Sequence, residues 1–205
     1  MLGIARSASL IGCLLLSPFS FAVQTEDAAS AKEYQVYNAV LALMQFPKSD
    51  PRIIIVNKTL NTRCGDESGN PVLMNGCGIW VSPISTTEDT NQHLRREWPT
   101  MAQSTWVSFT TSNSSSGVLQ DRLTSSWPHR LVDMSSQSAP DWKNPDGAIF
   151  FSRVGFDSEQ NEALVYVLFF SYMKQVRTSG NFFLFRVNPG KNWEPAGRFT
   201  YMEME

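Results

Sequence analysis

Histidine is nearly missing from this chain: His93 and His129 are the only two in 205 residues. A tetrahedral metal site needs four ligands and a nucleophilic triad needs a base beside its nucleophile. A Ser/His/Asp triad would have to use one of those two positions, and they are the only histidines that could add to a tetrahedral site. Cysteine is almost as scarce, with Cys13, Cys64 and Cys77 making three. Their spacing contains no Cys-x-x-Cys, the usual signature of a redox pair. A basic block is missing as well. Its nearest approach, Arg95-Arg96, reads as a solvated helix face in a chain of net charge −2, so the clustered cationic face that nucleic acid requires is not there. No apolar run reaches the ~20 residues that span a bilayer, Ala163–Tyr172 being strand-length. No transmembrane segment is therefore expected. The Gly-x-Ser-x-Gly elbow of many serine hydrolases is also absent.

What is present begins with an address. Arg6 is the sole charge before Glu26, and the apolar run Leu10–Leu16 leads to Ser20-Phe21-Ala22. A positive start, a short apolar stretch and a small-x-small site make a secretory signal peptide, so residues 1–22 are expected to be removed and the chain exported. Leu10-Ile11-Gly12-Cys13 also matches the pattern that precedes lipid attachment, but most of the apolar run follows Cys13 rather than leading to it. Cleavage after Ala22 fits better and leaves residues 23–205, the length of one domain with a sizeable core. With Cys13 gone, Cys64 and Cys77 remain, and two cysteines in an exported chain are most simply one disulfide. Turn residues Gly65–Pro71 lie between them, and closing that loop would contribute about 3 kcal/mol.

Periodicity then divides the chain. Ser30-Ala31-Lys32-Glu33 has the form of a capping box, and Tyr34, Tyr37, Leu41 and Met44 follow at helical steps until Pro47. The spacing predicts a helix over about 30–46. Arg52–Val56 is an unbroken β-branched run, which predicts a strand buried on both faces, and Gly78–Val81 reads as the outgoing strand of a hairpin. Thr87–Glu97 predicts a short helix around Leu94. The Ser/Thr-rich stretch 108–117 is poor in packing residues and predicts a mobile loop. Arg130–Val132 predicts a short strand. Ala148–Phe156, Ala163–Tyr172, Phe182–Val187 and Arg198–Met202 are strands joined by turns, an antiparallel meander. In the second of them both alternating sets are apolar, so both sheet faces need a cover, and the early helix supplies one.

The order Phe151-Ser152-Arg153-Val154-Gly155-Phe156, a polar turn, Ala163-Leu164-Val165-Tyr166-Val167, and later Gly190-Lys191-Asn192-Trp193 resembles a family of uncharacterised exported bacterial proteins. Members carry a Ser-Arg-Val-Gly-Phe strand, an Ala-Leu-Val-Tyr strand and a Gly-Lys-x-Trp turn. Many have a Gly-rich link after the second strand, where this chain has the longer, more basic Ser171–Arg177. The resemblance spans about a third of the chain. It implies an exported address and a similar fold, and no activity.

Candidate chemistry is thin. His93 and Glu97, four apart on the predicted helix, share a face, but no third ligand is placed near them. Asp121, Asp133, Asp141, Asp146, Asp157, Glu159 and Glu162 are the acids from which the paired carboxylates of a wall hydrolase would be drawn, and most sit at turns where Asp is ordinary. Arg153 shares a strand face with Ile149 and Phe151, so it is expected partly buried and paired with an acid on a neighbouring strand. Trp193 reads as a packed turn residue. No catalytic residue, metal ligand or cofactor is expected.

These features predict one α+β domain: an N-terminal helix packed on a mainly antiparallel sheet, with a C-terminal strand meander and one disulfide. The expected function is that of an exported, non-enzymatic protein-binding protein of the bacterial envelope. Its specific form is an immunity protein that neutralises a periplasm-delivered toxin, with contact through Tyr172, Lys174 and Arg177. The alternative is an envelope hydrolase acting on cell wall or lipid.

Overall fold

The computed structural model describes residues 29–46, 52–60, 87–133, 145–171 and 177–204. The leader 1–22 with Cys13, both Cys64 and Cys77 with the hairpin expected around them, and Tyr172 and Lys174 lie outside the described residues.

Helix α1, Ala31–Leu43, starts on a closed capping box. Ser30 N–H donates to Glu33 Oε2 at 2.7 Å and Glu33 N–H to Ser30 Oγ at 3.3 Å, so two of the helix's orphan donors are satisfied at once. Its buried stripe is Tyr34, Val36, Tyr37, Val40 and Leu41. Strand β1, Ile53–Val56, is buried at all four positions. Helices α2, Glu88–Glu97, and α3, Gln103–Ser112, follow. Then come β2 (His129–Val132), β3 (Gly147–Phe151), β4 (Gly155–Phe156), β5 (Glu162–Ser171), β6 (Arg177–Val187) and β7 (Trp193–Met204).

Among the described residues these strands form one mixed sheet in the order β2-β1-β3-β5-β6-β7, with β4 pairing β5 off that path. From β3 to β7 every pairing is antiparallel, but β1 runs parallel to both β2 and β3. The parallel end follows from the long connection out of β1, which holds α2 and α3 and so permits a crossover. Alternation sorts the core into two layers. Ile53, Ile55, Ile149, Phe151, Val165, Val167, Phe183 and Phe185 meet α1 on one face. Ile54, Ala148, Phe150, Leu164, Tyr166, Leu168, Phe182 and Leu184 meet Leu94, Trp106 and Phe109 on the other.

Two expectations are corrected. The stretch expected as a loop across 108–117 is helical through Ser112. Trp106 and Phe109 sit three apart and are both buried, while Thr110 and Thr111 turn their hydroxyls back to Val107 O at 2.9 and 2.8 Å. Two large aromatic anchors thus outweigh a weak local propensity. The single strand expected over Ala148–Phe156 is broken at Ser152–Val154. There Arg153 N–H donates to Asn113 Oδ1 at 2.8 Å, and Asn113 Nδ2 to Arg153 O at 3.0 Å, so a side chain replaces the ladder partner.

Candidate functional site

Helix α1 covers only part of its sheet face. After Leu43 the backbone turns extended at Met44, whose N–H donates back to Leu41 O at 3.2 Å. The turn carries Phe46 over the sheet, where its ring meets Phe169 at 5.7 Å and Trp127 at 4.8 Å between centroids. Beyond the helix end lies a groove of about 580 Å³. Its floor is Val167 and Phe169 of β5 and Phe183 of β6, and one wall is Pro195–Arg198 of β7. Leu43, 44% exposed, stands at the rim.

The groove's polar groups are organised by a buried amide. Asn181 is only 4% exposed. Its Oδ1 accepts from Arg198 Nε at 2.9 Å and Thr200 Oγ1 at 3.0 Å, and its Nδ2 donates to Ser179 Oγ at 3.3 Å. The Arg198 guanidinium also lies over the Phe183 ring, 5.6 Å from its centroid, a favourable cation–π arrangement. Among the described residues of the lining, Arg198 is the single ionisable side chain.

The sequence-predicted residues fall elsewhere. Arg153 is partly buried and ion-paired, and the acid is Glu33 on helix α1, where the sequence suggested one on a neighbouring strand. Its Nε and Nη2 donate to Glu33 Oε1 and Oε2 at 2.7 and 3.0 Å. The strand is broken at Ser152–Val154, which leaves Arg153 beside the first turn of α1. Val154 N–H reaches the same carboxylate at 3.2 Å. Burial alone would raise the Glu33 pKa, but hydrogen bonds from Arg153, Ser30 and Val154 and the Arg153 charge outweigh it and hold the carboxyl below its ordinary value. Tyr37 OH donates to Ser152 O at 3.0 Å in the same cluster. Burial, then the Glu33 charge, pushes its pKa well above the usual tyrosine value. Every group here is consumed in joining α1 to the β3–β4 break.

Of the acids expected as hydrolase candidates, Asp141 lies outside the described residues, and Glu162, Asp157 and Asp146 are engaged in structural contacts. Glu162 accepts from Ala102 N–H and Thr105 Oγ1, both at 2.8 Å, and from Arg186 Nη2 at 2.9 Å. It therefore caps the N-terminus of α3, where Ala102 offers no side-chain cap. Asp157 takes the N–H groups of Asn161 and Glu162 in the β4–β5 turn, and Asp146 takes Arg52 N–H. His93 and Glu97 are exposed on α2. Among the described residues no three His, Cys, Asp or Glu side chains gather as metal ligands. His129 Nδ1 does lie 2.9 Å from Ser125 Oγ, but that hydroxyl donates to Trp127 O, so its proton is not directed at the imidazole. Trp193 opens β7, its ring beside Phe156 and its Nε1 donating to Gln35 Oε1 at 3.2 Å.

Of the expected contact surface, Arg177 alone is described, exposed at the start of β6. By strand alternation it shares the groove's sheet face with Ser179, Asn181 and Phe183. Asn181 and Arg198 were not singled out from the sequence. The one available signal was an Asn in the middle of an apolar strand, which needs partners if buried. Set beside known families, curated proteins and solved structures, the chain matches none.

Proposed function

We propose that this chain is an exported, non-enzymatic binding protein of the bacterial envelope, and that its partner is another protein seated in the groove at the end of α1. The groove's composition carries the reading. Its floor is apolar, and its polar groups are amides, a hydroxyl and one guanidinium held in place from below. Such a lining suits recognition: apolar area supplies affinity and a few fixed polar groups supply orientation. The signal-like leader and the resemblance to exported proteins support the envelope as the compartment. Neutralising a periplasm-delivered toxin is the specific form of the proposal. In that compartment Cys64 and Cys77 would be oxidised to one disulfide.

The test is paired capture. The tagged full chain is exported in its native host and purified with what it holds, beside a Ser179→Trp variant whose groove is filled. The proposal expects one stoichiometric protein on the unmodified chain and at least a tenfold loss on the filled variant. Equal retention by both, or none by either, contradicts it.

A further inference from the structure

We infer that the groove captures the C-terminal end of its protein partner, with an apolar last residue on the Val167–Phe169–Phe183 floor and the free α-carboxylate on Arg198. This rests on the binding reading above and adds what the partner must present.

Arg52, Arg153 and Arg186 each have a carboxylate oxygen close by, at 3.7, 2.7 and 2.9 Å. Arg198 has no carboxylate partner among the described residues. Its Nε is engaged by the buried Asn181 and its plane is steadied over Phe183, so its two terminal nitrogens are oriented but not used on an acid. A guanidinium fixed in this way is suited to a bidentate carboxylate. Charge complementarity therefore asks for an anion, at the wall of a trough that otherwise asks for an apolar body.

The polar lining favours a peptide over an acyl chain. Gln45 and Ser179 place an amide and a hydroxyl along the groove. A peptide brings N–H and C=O groups to match them, whereas an acyl chain would cover them with methylenes and leave them unpaired, which is costly. The β6–β7 register also skips Ala196 in the groove wall, and such a bulge leaves its residue out of the ladder. A peptide backbone lying along that wall meets main-chain groups as well as side chains, a known mode of terminus recognition.

The experiment uses the full chain purified from the periplasm and an array of heptapeptides randomised in their last three positions, each made as free acid and as C-terminal amide. Peptides ending in an apolar residue are expected to be selected, and amidation to weaken them at least tenfold. Arg198→Gln, a change at an exposed position, is expected to weaken the acids at least tenfold and to leave the amides within twofold. Dodecanoate, an apolar chain with the same head group, is expected not to displace the selected peptide. No selected peptide, equal binding of acid and amide, an inert Arg198→Gln or displacement by dodecanoate would each overturn the inference. A captured partner that is lost with Ser179→Trp but still held after a Gly-Ser-Lys tail is added to its C-terminus retains the groove and removes terminus capture. A partner unaffected by Ser179→Trp removes both.

Discussion

Glu33 combines a local and a distant role. Within α1 it completes the capping box, and across the fold it receives Arg153 and the Val154 N–H. Only the local role can be read from the sequence, because Ser-x-x-Glu is a four-residue pattern while the ion pair joins positions 120 apart. The partial burial of Arg153 was legible from strand alternation; its acid was not. Removing one member of a buried pair leaves the other charge uncompensated, so Glu33→Gln is expected to cost about 3 kcal/mol. The pH dependence follows from the lowered Glu33 pKa. A depressed carboxyl contributes its stability fully above its ordinary value of 4.5 and loses it as pH falls through the folded value. Urea unfolding of both proteins is expected to give a constant gap from neutral pH down to about 5 and a shrinking one in stronger acid. A gap unchanged by acid would contradict the assignment. Asn181 teaches the converse at this scale: its type hinted at a buried polar centre, but Arg198 and Thr200 reach it only once β7 is laid beside β6.

At the scale of elements, long periodic segments were readable and short compromised ones were not. The apolar steps of 34–44 and the strand runs after 147 carry strong patterns. The stretch 103–112 does not, because its Ser and Thr content suggests a loop while Trp106 and Phe109 are buried against the sheet. Helix α3 exists through tertiary packing, closest where it crosses β4. A Cβ placed at Gly155 would land on the backbone of Phe109, so only glycine lets the two elements approach this closely. Gly155→Ala is expected to push α3 away and cost about 1–3 kcal/mol, measurable as a lowered denaturation midpoint with unchanged slope. A neutral result would mean that α3 can shift freely on β4. The mixed character of the sheet was hidden for a related reason: consecutive turns announce antiparallel strands, but nothing local reveals that β1 pairs with strands far along the chain.

For the whole molecule, the decisive feature is a mismatch of lengths. Helix α1 ends before β5 and β6 do, so one face of the sheet is covered by helix at its Phe151–Val165–Phe185 end, while at its Phe169–Ser179 end Phe46 is packed on Phe169 and, among the described residues, the groove beside it is open. The other face is filled by α2 and α3. This groove could not be read from the sequence, since it is made by where three distant segments stop relative to one another. Its position places the proposed docking site at the end of α1 and along β7. Hydrogen–deuterium exchange on the chain alone and with its captured partner tests that placement most directly. New protection is expected at residues 43–46 and 196–198, with little change in α2 and α3. Protection confined to the β2 edge or to the α2–α3 face would contradict it.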